Sequence, residues 1–203
     1  ALFTIDEETG MTGAMGLKSG LLQGDILLNL DTEEDDEIGV GCAGGVDVTA
    51  EKYYKEQDAP ENTTTYSIKV KGLQGGHSGM DIIKGLGNAN KMMNRILYKC
   101  QAVMHIASVQ GGSLRNAIPR ESVATVVVEN LNEAAFTSEF KRIAKHINEE
   151  YALLEPALEI SCQKSENTAE KVMVPASQEQ FLKTLYGLHN GVYRMSPAIA
   201  DLV

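Results

Sequence analysis

Carboxylates follow two apolar runs near the start of this chain, and side chains of this type could hold a metal ion. Asp6, Glu7 and Glu8 stand side by side after the run that ends at Ile5, and Asp31 ends the run "GDILLNLD". Carboxylate oxygens suit hard divalent cations. A second carboxylate beside a metal-bound water can act as a general base in hydrolysis. The alternative is a solvated acidic turn, which the spacing alone favours.

A histidine and a polar stretch further along could bind a substrate. His77 lies between glycines in "GGHSG", where an exposed imidazole could donate a hydrogen bond to a developing oxyanion. The stretch "GGSLRNAIPRES" offers the amide of Asn116 and the guanidinium group of Arg115 or Arg120, which suits a carboxylate. Ordinary polar loops explain both stretches equally well. No HExxH or HxxxH spacing occurs in the sequence, so it does not predict a zincin site.

The elements around His77 and Asn116 follow a recognisable order. Residues 63–165 predict β-α-β-β-α-β, the ferredoxin-like α+β arrangement with an antiparallel sheet and both helices on one face. Asn132 is the predicted N-cap of the second helix. The predicted strands cover 64–73, 102–112, 122–130 and 156–165, and the predicted helices cover 81–100 and 132–154.

Other segments predict elements outside this unit. The apolar runs at 1–5 and 24–31 predict buried strands of an α/β unit, in which ligands gather at the carboxyl ends of strands. Alternating residues predict a half-buried strand at 46–56, and residues 177–191 predict a further helix.

The composition excludes several classes of partner. The formal net charge is −10, the pI is about 4.9, and Lys and Arg do not cluster, which argues against nucleic acid and against an anionic membrane surface. Three widely spaced cysteines predict neither a disulfide framework nor a metal knuckle, and favour a reducing, cytoplasmic compartment. No apolar run reaches the length of a transmembrane helix.

Several of these stretches together resemble one enzyme family. The stretches "DEETGMTGA", "LNLDTEE", "GCAGGVDVT", "KGLQGGHSG", "GLGNANK" and "GGSLRNAIPRE" are similar to those of the aminoacyl-histidine (Xaa-His) dipeptidases. This carnosinase-like group belongs to the co-catalytic di-zinc peptidases, with peptidase T and carboxypeptidase G. The resemblance runs from about residue 3 to about residue 130 and implies hydrolysis of small dipeptides in the cytoplasm by a hydroxide that bridges two zinc ions.

The resemblance also implies roles for single residues. Glu7 matches the general base, and Glu8 and Asp31 each match a ligand of one zinc ion. His77 matches the lid histidine, which in many relatives reaches the active site of the partner subunit and stabilises the oxyanion. Asn116 matches an asparagine near the substrate in related lids, and we predict that Arg120, selected above for its guanidinium group, binds the substrate as well. A homodimer formed through the lid is implied as well.

The chain departs from the family pattern in its metal ligands. The family also uses an upstream His-x-Asp, an upstream bridging Asp and a distal His, which have no counterpart here. Catalytic zinc normally has three protein ligands, so we expect the chain alone to hold no metal and to be inactive. We predict an internal fragment of a dipeptidase, in which residues 1–43 end the first catalytic segment and 44–203 form most of the lid and dimerisation domain. Residues 1–42 are expected to have lost most of their packing partners.

A non-catalytic module is the alternative function. A ferredoxin-like sheet can pair edge to edge or bind a small ligand on its open face without catalysing a reaction. RNA binding would need exposed aromatic residues on the central strands. The segments "SVATVVVEN" and "AVMHIASVQGG" contain none.

Overall fold

A computed structural model describes most of the chain. It covers residues 1–8, 10–30, 36, 38 and 44–199. The chain falls into two compact units, 1–50 and 51–203. This division does not test the predicted boundary between residues 43 and 44, which stays a prediction.

The described part of residues 1–50 contains one short helix, α1 (Thr12–Met15), and no strand. The strands predicted at 1–5 and 24–31 are therefore wrong for the residues described there, and apolar side chains such as Leu27 and Leu28 are exposed. An apolar run becomes a buried strand only when a neighbouring strand pairs with its backbone and another layer covers it. No such partner occurs among the described residues of this unit.

The larger unit contains the predicted ferredoxin-like fold. Its elements are β2 (Thr63–Lys71), α2 (Ala89–Cys100), β3 (His105–Gly111), β4 (Ser122–Glu129), α3 (Glu133–Tyr151) and β5 (Glu159–Lys164). The sheet has the order β3-β4-β2-β5, and all neighbouring strands are antiparallel. The predicted β-α-β-β-α-β order and α+β class are confirmed.

The core of this unit is explained by apolar residues that recur at every second position in the strands and about every 3.6 positions in the helices. Alternate residues of β2, including Ile68 and Val70, are fully buried, as expected for a strand with one covered face. The apolar stripe of α3 includes Phe136 and Ile147, which are also fully buried. Phe136 packs against Tyr66 with ring centroids 5.2 Å apart. Both helices therefore cover the same sheet face.

The start of α2 differs from the sequence-based prediction, whereas α3 starts at its predicted N-cap. The helix predicted from residue 81 begins at Ala89, because Gly85 adopts a left-handed φ of 67° after a short 3-10 turn and Asn88 caps the helix. The Asn88 side chain accepts hydrogen bonds from the N–H groups of Asn90 and Lys91. Asn132 occupies the N-cap position of α3, but its side chain makes no capping hydrogen bond, because a 3-10 turn leads directly into the helix.

A small second sheet and a fourth helix complete this unit. Strand β1 (Glu56–Asp58) pairs antiparallel with β6 (Lys171–Met173), and α4 (Pro175–Gly187) follows. The strand predicted at 46–56 is wrong except for its last residue, and its apolar residues Val46 and Val48 are exposed.

Candidate functional site

An antiparallel bridge joins the two polar stretches that the sequence analysis selected. His77 stands opposite Ala117. On either side of this pair, Ile118 donates its N–H to the Gly76 carbonyl at 2.8 Å, and Ser78 donates its N–H to the Asn116 carbonyl at 2.8 Å. The structure therefore brings the "GGHSG" and "LRNAIPR" stretches together, with His77 and Asn116 on facing segments of backbone.

The His77 side chain is exposed, as expected for an imidazole that meets a ligand. Its Nδ1 accepts hydrogen bonds from the backbone N–H groups of Gly79 at 3.1 Å and Met80 at 3.2 Å. The backbone N–H of His77 donates to Asp81 Oδ2 at 2.7 Å. The ring is thus held on one side by the turn that follows it, and Nε2 is not used within that turn.

The pKa of Asp81 lies below its ordinary value for two main reasons. The largest is the hydrogen bond from Lys84, whose Nζ lies 2.6 Å from Asp81 Oδ1, and the second is the hydrogen bond from the backbone of His77. Asp81 is therefore a carboxylate at neutral pH and accepts on both oxygens. Sequence reasoning missed this residue, although an acid four positions after His77 in "HSGMD" is a usable signal for a closed turn.

A cavity of about 690 Å³ opens beside the bridge. Its lining includes His77, Asn116 and Arg120, together with the glycines at the end of β3. The Arg120 side chain passes over Gly75, where a Cβ atom would fall 2.5 Å from Arg120 Cγ. Three of the predicted site residues therefore line one cavity, which combines an imidazole, an amide and a guanidinium group.

A buried carboxylate supports the loop that carries His77. Glu155 is 2% exposed and accepts the backbone N–H of Gln74 at 2.8 Å and that of Gly87 at 2.7 Å. The Gln74 side chain also donates to the Leu154 carbonyl. This contact joins the start of the His77 loop to the segment after α3. The sequence gives no signal for it, because Glu155 reads as one more acid at the end of a charged helix.

The acidic stretch at the start of the chain lies in the smaller unit. Glu7 and Glu8 are exposed, and Asp31 lies outside the described residues. The turn around these acids is stabilised by a contact within the same stretch of sequence. Asp6 has a φ of 59°, and Thr12 Oγ1 donates to Asp6 Oδ2 at 2.5 Å. Whether Glu7, Glu8 and Asp31 act as predicted stays a prediction.

A metal site needs several converging donors, and the described residues do not present them. Among these residues, no group of three or more His, Cys, Asp or Glu side chains is close enough to hold a metal ion. Glu8 alone does not fit the three-ligand pattern of a catalytic zinc. None of the described helices is long and apolar enough to cross a membrane.

Comparisons with known proteins agree with the resemblance found in the sequence. Residues 68–154 match the peptidase dimerisation domain family. The chain is similar to the cytosol non-specific dipeptidase of Escherichia coli, with 37% identity over 204 aligned residues that cover 100% of this chain and 42% of that protein. It is also similar to the crystal structure of aminoacylhistidine dipeptidase from Vibrio alginolyticus, with 38% identity and a TM-score of 0.79, covering 98% of this chain and 41% of that one.

These two relatives confirm the predicted similarity to dipeptidases. The family match and the solved structure confirm the predicted ferredoxin-like fold of the lid. The chain spans about two fifths of the length of the relatives it matches.

Proposed function

We propose, from the similarity to dipeptidases along the whole chain, that this sequence supplies the lid and dimerisation part of a metal-dependent dipeptidase. Residues 1–43 would form the end of a catalytic segment, and 44–203 would form the lid. The substrates would be small dipeptides such as Xaa-His, and the enzyme would act in the cytoplasm. The observation that carries the proposal is the cavity lined by His77, Asn116 and Arg120 in a chain 37% identical to a dipeptidase.

The residues that line the cavity suit three parts of a dipeptide. The free Nε2 edge of His77 can donate to the oxyanion that forms when the peptide carbonyl is attacked. The Arg120 guanidinium group can pair with the terminal carboxylate, since its planar donors match carboxylate geometry. The Asn116 amide can contact the peptide group. The cavity volume of about 690 Å³ is within the range of small-ligand sites.

The carboxylates of the smaller unit have proposed roles in the complete enzyme. Glu7 would be the general base that takes a proton from the attacking water. Glu8 and Asp31 would each be a ligand of one of two divalent ions, which we propose to be zinc. We expect this chain by itself to retain no stoichiometric zinc after dialysis, because a single carboxylate per ion is too few for tight binding. Stoichiometric metal measured by elemental analysis of the dialysed chain would contradict this assignment.

A homodimer formed through the lid is part of the same proposal. The family that matches residues 68–154 is a peptidase dimerisation domain, and one side of the edge strand β5 carries no strand among the described residues. An open edge can pair with a second copy. Light scattering coupled to size-exclusion chromatography would give twice the mass of one chain if the lid associates, and the mass of one chain if it does not.

Kinetics on the complete protein that contains this sequence test the activity. We expect hydrolysis of Xaa-His dipeptides with the native metal. His77→Ala should lower kcat by about 100-fold or more, the usual cost of losing one oxyanion donor. Glu7→Gln should abolish most turnover while metal content stays near normal. The matched control is His146→Ala, because His146 is an exposed histidine on α3 that lies outside the cavity.

The same experiment separates the proposal from the non-catalytic alternative. A complete protein that forms dimers but hydrolyses no dipeptide would favour a pure dimerisation or ligand-binding module. Equal loss of activity in the His77 and His146 variants would remove His77 from the oxyanion role.

A further inference from the structure

We propose that the turn formed by residues 77–81 fixes the imidazole of His77 in the tautomer that carries its hydrogen on Nε2, and that Asp81 is the positioning residue that closes this turn. The catalytic meaning of this inference rests on the function proposed above. The tautomer itself does not, because it follows from the hydrogen bonds around the ring.

The hydrogen bonds to Nδ1 determine the tautomer. In a neutral imidazole, one ring nitrogen donates and the other accepts. The Nδ1 atom of His77 faces two donors, the backbone N–H groups of Gly79 at 3.1 Å and Met80 at 3.2 Å. Neither group can accept a hydrogen bond, so a hydrogen on Nδ1 would point at two others. The arrangement therefore requires the lone pair on Nδ1 and the hydrogen on Nε2.

Asp81 closes the turn from which these two N–H groups come. Its Oδ2 accepts the backbone N–H of His77 at 2.7 Å, and its own N–H donates to the His77 carbonyl at 3.0 Å. The two residues are thus joined twice, across one turn of backbone that contains Gly79 and Met80. Lys84 holds the other oxygen, Oδ1, at 2.6 Å. Both hydrogen bonds between Asp81 and His77 are made to the His77 backbone, so Asp81 acts on the ring by shaping the turn.

Two glycines give the turn the space it needs. A Cβ atom on Gly76 would lie 2.7 Å from Asp81 Oδ2, and the φ of Gly76 is 146°, which L side chains rarely adopt. A Cβ atom on Gly79 would lie 3.2 Å from Cε1 and 3.3 Å from Nδ1 of His77. The backbone therefore approaches the carboxylate more closely than other residue types would allow, and a side chain at position 79 would require the ring to shift slightly.

The fixed tautomer matters because only a hydrogen on Nε2 points away from the turn. An oxyanion in the neighbouring cavity would then meet a donor that is already oriented. The other tautomer would present a lone pair to the same oxyanion, which is repulsive. The turn thus prepares the ring before substrate arrives, and no reorientation of the hydrogen is needed during the reaction.

Nitrogen-15 NMR of the isolated 203-residue chain tests the tautomer directly. Long-range proton–nitrogen correlations distinguish a protonated ring nitrogen from one with a lone pair, and spectra at about pH 8 report the neutral ring of an ordinary histidine. The chain has four histidines, so His77→Gln identifies the signals of interest. We expect His77 to show a protonated Nε2 and a lone pair on Nδ1. A protonated Nδ1, or averaged signals typical of exchanging tautomers, would overturn the inference.

Variants at position 81 test the positioning role. Asp81→Ala should release the turn and shift His77 to averaged signals, whereas Asp81→Asn keeps an oxygen acceptor for the His77 N–H and should preserve the single tautomer. The control Lys84→Met removes the ion pair but leaves both hydrogen bonds between His77 and Asp81, so it should not change the ring signals. If Asp81→Ala does not fold, Asp81→Ser is used in its place, because its side chain is also too short to reach the His77 N–H. Unchanged His77 signals in the folded variant would exclude Asp81 as the positioning residue.

The complete protein gives an independent measurement. We expect Asp81→Ala to lower kcat by about 10- to 100-fold, with a small effect on KM, because a misplaced donor weakens transition-state stabilisation more than substrate binding. Lys84→Met should retain its activity. An inactive wild-type protein would refute the proposed function while leaving the NMR result intact. Full activity of Asp81→Ala alongside averaged ring signals would show that the tautomer does not limit catalysis.

Discussion

Replacing Glu155 with glutamine should destabilise the chain and loosen the loop that carries His77. The carboxylate is buried and accepts two backbone N–H groups, from Gln74 at 2.8 Å and from Gly87 at 2.7 Å. A glutamine side chain has a single oxygen, so its NH2 group must face one of these two donors. One hydrogen bond is lost, and the other changes from a charged to a neutral acceptor.

The magnitude follows from these two changes. A hydrogen bond to a charged group contributes about 1.5–3 kcal/mol, and a buried donor left without a partner costs about 1–3 kcal/mol. The lower cost of burying a neutral amide instead of a carboxylate offsets part of this loss. We therefore expect Glu155→Gln to lower the free energy of unfolding by about 2 kcal/mol.

Urea unfolding followed by far-ultraviolet circular dichroism measures this difference, and amide hydrogen exchange locates it. Exchange at Gln74 and Gly87 should accelerate most. The matched control is Glu159→Gln, which removes an exposed ion pair with Lys71 at 3.1 Å and should change the free energy of unfolding by less than about 1 kcal/mol. If the two variants lost equal stability, Glu155 would not hold the His77 loop as described.

Three further predictions concern the stability of the larger unit. Burial raises the pKa of the Cys100 thiol to about 12 and that of the Cys162 thiol to about 11, so the folded chain keeps protons that the unfolded chain releases. The free energy of unfolding should therefore be at its full value below the ordinary thiol pKa of about 9 and should fall as the pH rises towards 11. Urea titrations across this range should show a smaller fall in Cys162→Ala. Phe136→Ala should lower the free energy of unfolding by about 3–5 kcal/mol, because the ring is fully buried. Gly72→Ala should cost about 2 kcal/mol or more, because its φ is 80° and the new Cβ would lie 2.0 Å from the Ala157 carbonyl oxygen; a loss under 0.5 kcal/mol in thermal or urea unfolding would contradict this.

Local periodicity was enough to predict the ferredoxin-like part of the larger unit. The alternation in β2 and the stripe of α3 each reflect one covered face, and a short window of sequence contains that information. The start of α2 was misjudged because the apolar spacing continues through Ile82 and Leu86, while Gly85 and Asn88 interrupt the helix there. Backbone conformation and capping decided the boundary against the hydrophobic pattern.

Long-range contacts were beyond sequence reasoning. The pairing of β1 with β6 and the contact between Gln74 and Glu155 join residues far apart in the chain, and nothing local marks either partner. The apolar runs before residue 31 show the opposite error, since a pattern typical of strands has no pairing partner among the described residues. His77 and Asn116, which the sequence selected separately, line one cavity, whereas Asp81 was missed because its role lies in backbone hydrogen bonds.

The contact between Gln74 and Glu155 also has a consequence for the order of folding. The two residues are separated by 81 positions, so closing this loop has an entropic cost that must be met before the contact forms. During synthesis on the ribosome, the His77 loop emerges long before the residue that anchors it. Similarly, the central strand β2 can pair only after β4 and β5 have been synthesised. The candidate site should therefore be among the last parts of this unit to become ordered, after α3 has been synthesised and has docked on the sheet.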